Sequence, residues 1–259
     1  MALLQVDYRS QTLKRNVVFN VILPYEKFKG PYPTLYLLHG LKENCNAWLM
    51  NTNIRRLAEN SGLAVVMPSA ENSFYMDILV ENGALGDFGE YIGRELIEVT
   101  REMFPLSCRK EDTFICGLSM GGFGTLRNAL KYHDVFGKAA VLSGALHFYE
   151  YPQDVVETEG NTIGELMNFG DLEKTRNSDR NPRYLMKQMT DNGVEFPKFY
   201  VACGRQDFLF EANRSIARAL RECGAEVTYE DGEGGHHWEF WAEYIYHVLK
   251  WLNYHVEEK

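Results

Sequence analysis

The chain has 259 residues, of which 45% are hydrophobic and 24% charged, the balance of a soluble globular protein rather than a disordered or membrane-embedded one. Its formal net charge is −9 and it carries no Lys/Arg run, so it repels phosphate backbones and a nucleic-acid role is not expected. The length suffices for one domain, residues 1–259, that buries its apolar surface without a disulfide or metal staple.

The first residues, Met1-Ala2-Leu3-Leu4-Gln5, lack the basic and apolar regions of a signal peptide. No stretch approaches the ~18 uncharged apolar residues of a membrane span, so no membrane partner is expected. Two β-type runs open the chain, Leu3 to Tyr8 and Asn16 to Pro24. Thr34 to Leu38 is a continuous apolar run, which suits a strand buried on both faces. Trp48 to Asn60 has helical spacing and stops at Ser61-Gly62. Leu63 to Met67 predicts another buried strand, and Phe88 to Phe104 an amphipathic helix ended by Pro105. Thr113 to Cys116 predicts a strand, Gly122 to Tyr132 a helix, and Lys138 to Ser143 a strand.

The rhythm breaks between about 144 and 196, a polar stretch in which Asn181-Pro182 opens a helix at Arg183. It reads as a cap-like insertion over one edge of the sheet, placed to shape a pocket. Strand character returns at Lys198 to Cys203, followed by a helix from Phe210 to Cys223, a strand from Glu226 to Glu230 and a last helix from Trp238 to about Tyr254. Strands alternating with helices imply an α/β fold, a mostly parallel sheet with helices on both faces. The five cysteines are odd in number with no C-x-x-C pair, which reads as reduced thiols in a cytoplasmic protein. Cys116 and Cys203 lie in apolar runs and read as small core residues.

Four motifs carry chemistry. Gly117-Leu118-Ser119-Met120-Gly121 fits G-x-S-x-G, which chance supplies on the order of 0.1 times in such a chain. Here it sits between a buried strand and a helix, the setting that a nucleophile elbow needs. The alternative is a glycine-rich turn with an incidental serine. His39-Gly40-Leu41 follows the strand that in α/β-hydrolases precedes an oxyanion loop, so the amides of Leu41 and Met120 are the candidate oxyanion hole. His39 itself reads as structural. Asp207, after the strand ending at Cys203, is either a triad acid or a helix cap ahead of Phe210. His236 and His237 follow the strand ending at Glu230, and the order Ser, Asp, His is that of the α/β-hydrolases. His133, His147, His247 and His255 fall outside that order or position. Between the two adjacent histidines, His236 lies further into the loop and is favoured as the base, leaving His237 as a pocket or surface residue. Trp48, after the oxyanion loop, is either a pocket wall or a core residue of the helix it opens.

These motifs resemble the tributyrin-esterase branch of the esterase D-like α/β-hydrolases, which is similar to S-formylglutathione hydrolases and to acetyl-xylan and feruloyl esterases. The resemblance rests on Leu35 to Gly40, Asn44 to Trp48, Gly117 to Gly122, Cys203-Gly204 with Asp207-Phe208-Leu209, and His236-x-Trp238-x-Phe240-Trp241. In that family the catalytic histidine stands two residues before an aromatic, as His236 stands before Trp238, and position 237 is more often not histidine. The resemblance implies a serine carboxylesterase acting on small-molecule esters with short acyl chains. It implies a triad of Ser119, Asp207 and His236, an acyl-enzyme intermediate, no cofactor or metal, and a homo-oligomer. Glutathione-specific members differ around Asn44 to Trp48. A thioesterase, an S-formylglutathione hydrolase-like enzyme or a peptidase uses the same triad. A binding protein on an inactive hydrolase scaffold is the alternative of another class, and the intact Ser, Asp and His speak against it.

Overall fold

Side chains leave a strand alternately to either face, and along the central strands of this chain both sets are apolar. The computed structural model describes residues 1–78, 86–146 and 172–254. In chain order its strands are β1 (Ala2–Arg9), β2 (Asn16–Leu23), β3 (Thr34–Leu38), β4 (Ala64–Pro68), β5 (Asp77–Ile78), β6 (Gly86–Asp87), β7 (Thr113–Leu118), β8 (Lys138–Leu142), β9 (Lys198–Gly204) and β10 (Val227–Gly232). Its α-helices are α1 (Ala47–Asn51), α2 (Ile54–Ser61), α3 (Phe88–Glu90), α4 (Leu96–Met103), α5 (Met120–Lys131), α6 (Leu172–Arg176), α7 (Pro182–Asp191), α8 (Phe210–Glu222) and α9 (Trp238–Trp251).

Eight strands form one sheet in the order β1-β2-β4-β3-β7-β8-β9-β10, while β5 and β6 pair separately. β1 pairs antiparallel with β2, and β2 with β4; every other pairing in the large sheet is parallel. Tyr36 and Leu38 of β3, Val141 of β8 and Val201 of β9 enter one core, which α4, α5, α7 and α8 cover. Leu35 and Leu37, Leu142 and Tyr200 enter a second core beneath α1, α2 and α9. This is the α/β-hydrolase architecture. Because β3, β7, β9 and β10 run parallel, the loops after them emerge along the same edge, where open α/β sheets bind ligands.

Two expected helices differ. The run from Trp48 to Asn60 is divided into α1 and α2, because Thr52 is extended (φ −140°, ψ 171°) and its hydroxyl accepts from Ile54 N–H at 3.2 Å, starting a new helix. The helix from Phe88 is interrupted by a π-helical turn over Tyr91–Glu95 before α4 continues to Met103. Within the stretch read as an insertion, Asn181 caps α7 by accepting from Arg183 N–H at 3.0 Å, and Leu185, Met186 and Met189 join the core beside α5. Residues 147–171, with His147, lie outside the described residues, as does His255. Among the described residues no helix is long and apolar enough to cross a membrane.

The far end of α5 carries an ion-pair cluster. Arg127, fully buried, donates to Asp77 at 3.0 Å and Asp179 at 3.1 Å, and Lys131 reaches the same two carboxylates at 2.8 and 2.7 Å. Burial raises the Asp77 carboxyl, but Arg127 and Lys131 outweigh it and hold the group below its ordinary value.

Candidate active site

Ser119 stands between β7 and α5 at φ 53° and ψ −116°, a conformation that costs an ordinary residue on the order of 1–3 kcal/mol. The neighbouring glycines make that turn possible. A Cβ on Gly117 would sit 2.4 Å from Gly121 O, and one on Gly121 would sit 2.7 Å from both Leu38 O and His39 O. The turn is pinned to β8 and the loop after it by hydrogen bonds from Ser119 N–H to Leu142 O (2.9 Å) and from Ala145 N–H to Ser119 O (3.0 Å).

The strained turn presents Ser119 Oγ to His236 Nε2 at 2.9 Å. His236 Nδ1 lies 2.9 Å from Asp207 Oδ2. Asp207 Oδ1 accepts from Leu209 N–H at 2.9 Å, and its side chain is shielded from solvent. Burial raises the Asp207 carboxyl, but hydrogen bonds from His236, Leu209 N–H and Ser143 outweigh it, so the group sits below its ordinary value and stays charged. A charged acceptor at Nδ1 selects the Nδ1–H tautomer and leaves Nε2 free to take the serine proton. The His236 ring is bracketed by Phe208 and Trp241, each with a centroid distance of 4.9 Å.

The oxyanion candidates lie on the two elements expected. Leu41 follows β3, and its N–H has no acceptor among the described residues. Met120 opens α5, where a first-turn amide has no acceptor within the helix. His39 is a structural residue of this loop. It is buried, its Nε2 accepts from Ala70 N–H at 3.0 Å, and its carbonyl accepts from Tyr75 OH at 2.9 Å.

Burial pushes the His39 imidazole down to about 4, against an ordinary value of 6.5, and the bond to Gly40 O offsets only part of this. Between those two values the unfolded chain binds the extra proton. The neutral ring's contribution to stability is therefore complete above about 6.5 and is lost as pH falls toward 4, to a total of about 3 kcal/mol. Urea midpoints measured across this range should fall less steeply in a His39→Gln protein, whose amide oxygen can replace Nε2. Equal slopes in the two proteins would show that His39 is not the source.

Of the two residues read as pocket candidates, Trp48 is packed in the core and His237 stands at the start of α9. Trp48 is 1% exposed, its indole N–H donates to Leu38 O at 2.9 Å, and its ring meets Trp238 edge-on; it is a core residue and not a pocket wall. His237 is the N-cap of α9, its Nδ1 lying 3.4 Å from Phe240 N–H and 3.0 Å from Glu239 Oε2, while its Nε2 accepts from Gly235 N–H at 2.9 Å. Both ring nitrogens are thus engaged away from Ser119. Three residues near the triad are given no role there by the sequence reading, although Phe208 and Trp241 fall within the motifs quoted above. Phe208 and Trp241 flank the base, and the Glu43 carboxylate joins Gly40 N–H to the Trp238 indole. Phe208 could have been suspected from its place directly after Asp207; Glu43 could not.

Comparison with known proteins identifies the family. The Esterase family model matches residues 10–252. An acetyl esterase of Caldicellulosiruptor saccharolyticus is 38% identical, the match covering 98% of each chain. Among solved structures, a fluorophosphonate-binding serine hydrolase F of Staphylococcus aureus superposes with a TM-score of 0.85 at 30% identity, covering 97% of this chain and 98% of that one. An S-formylglutathione hydrolase of the same organism gives a TM-score of 0.83 at 29% identity, with the same coverage. The chain belongs to the Esterase family, serine hydrolases of the α/β-hydrolase fold, and is a carboxylic ester hydrolase.

Proposed function

We propose that this chain hydrolyses carboxylic esters of short acyl chains, with Ser119 as nucleophile, His236 as general base and Asp207 as its orienting acid. The observation that carries the reading is the unbroken line Ser119–His236–Asp207, with both hydrogen bonds at 2.9 Å. Asp207 holds the Nδ1–H tautomer, so Nε2 takes the Ser119 proton as Oγ bonds to the ester carbonyl carbon. The carbonyl oxygen becomes an oxyanion that accepts from Leu41 and Met120 N–H, each donor worth about 3–4 kcal/mol. Collapse expels the alcohol, protonated by His236, and leaves an acyl-serine. Water then adds to that carbonyl, giving its proton to His236. The second collapse returns the proton to Ser119 Oγ and releases the carboxylic acid.

The acyl preference rests on the resemblance and on the 38% identical acetyl esterase. In a p-nitrophenyl ester series, acetate to butyrate should turn over much faster than octanoate or longer. Ser119→Ala should abolish turnover and labelling by a fluorophosphonate probe while the circular dichroism stays native. A maximum at long chains would sink the acyl preference. Labelling that survives in the alanine protein would sink the assignment of Ser119. The similarity to an S-formylglutathione hydrolase makes a thioester the second reading. S-formylglutathione belongs in the same panel, and a kcat/KM above that of every oxygen ester would favour it.

A further inference from the structure

The two loops that must cooperate in catalysis come from opposite ends of the chain, and one side chain joins them. Glu43 Oε2 accepts from Gly40 N–H at 2.8 Å, and its Oε1 accepts from Trp238 Nε1–H at 3.0 Å, a residue 195 positions away. Gly40 immediately precedes Leu41, the proposed oxyanion donor. Trp238 is the second residue after His236. Its ring meets Trp241 edge-on at 5.4 Å, and Trp241 in turn meets the His236 ring at 4.9 Å. A continuous path therefore runs from the oxyanion loop through Glu43, Trp238 and Trp241 to the base.

Glu43 is half-buried, and no Lys, Arg or His forms an ion pair with it among the described residues. Both its partners are neutral donors. A carboxylate placed here is electrostatically adverse to catalysis, since it stands beside the loop where an oxyanion is to form and like charges repel. Its use must lie in geometry. A carboxylate offers two acceptor oxygens at fixed separation, which hold two donors at once. A glutamine offers one, so it satisfies one loop and releases the other.

We infer that Glu43 is a positioning residue that fixes the oxyanion loop relative to the loop bearing the base; this rests on the triad and oxyanion reading proposed above. The latch orients Leu41 N–H through its neighbour Gly40 and does not touch substrate. Displacing a catalytic group by about 1 Å can cost on the order of a hundredfold in rate. Glu43→Gln should therefore lose kcat by roughly tenfold to a hundredfold on p-nitrophenyl acetate, with KM changed by less than about threefold.

The test is a double-mutant cycle with Trp238→Phe, which removes the indole donor and keeps a ring. Both single variants should lose kcat, and the double variant should be no slower than the worse single one, because both break the same link. Circular dichroism and thermal melting are followed for all three, and Ser119→Ala is run beside them. Multiplying losses in the double variant would overturn the latch. So would a Glu43→Gln enzyme with unchanged or raised kcat, since relief of the adverse charge would then outweigh any positional loss. A loss expressed in KM alone would assign Glu43 to substrate binding and also overturn it. An active Ser119→Ala protein would instead remove the site reading beneath the inference, and the two failures are thereby separable.

Discussion

His236→Ala is expected to lower kcat by roughly four to six orders of magnitude, whereas His237→Ala keeps most of the activity. The two residues are adjacent, but their surroundings differ. His236 spans Ser119 Oγ and Asp207 Oδ2 at 2.9 Å each, while His237 bonds Gly235 N–H and Glu239 on the helix side. Triad members act as a unit, so removing the base leaves only binding and the oxyanion donors. Removing His237 loses a helix cap, a cost of about 1 kcal/mol in stability rather than a loss of turnover. Asp207→Asn should fall by about 10⁴, because the amide no longer selects the productive tautomer of His236. All three proteins should show native circular dichroism, and kcat on p-nitrophenyl acetate is the measurement. A dead His237→Ala protein beside an active His236→Ala protein would reverse the assignment.

Gly121→Ala is expected to damage the enzyme through backbone contact alone. The added methyl would lie 2.7 Å from both Leu38 O and His39 O. Neither acceptor can swing aside, because Leu38 ends β3 and also accepts the Trp48 indole, while His39 O accepts from Tyr75 OH. The first turn of α5 must therefore move away from the oxyanion loop. Overpacking of this kind costs roughly 1–3 kcal/mol, and a shift near 1 Å costs about a hundredfold in rate. A lower melting temperature together with a kcat loss of that order is the expected pair. Wild-type values for both would mean that the two loops are not in steric register.

The strand–turn–helix around Ser119 was legible because local signals agree there: a fully buried run, glycines on both sides and an apolar helix stripe. The order Ser119, Asp207, His236 was legible because each residue follows its own strand. The choice between His236 and His237 was not settled by position, and depends on where α9 begins. Trp48 stayed ambiguous because one aromatic on a helix fits a core or a wall equally; what decides it is the packing of Trp238, far along the chain. Thr52 and the turn at Tyr91–Glu95 were missed because apolar periodicity tolerates a two-residue break or one widened turn. Glu43 has no local signature at all, since its meaning lies in a partner 195 residues distant.

Helix α5 begins at the nucleophile and finishes at the cluster of Arg127 and Lys131 with Asp77 and Asp179. Asp77 lies in β5 and Asp179 stands between α6 and α7. The cluster thus fastens β5 and the approach to α7 to the helix that presents Ser119. That helix is clamped at both ends, by backbone geometry at the nucleophile and by opposite charges at its tail, and so acts as a stiff strut under the reacting serine.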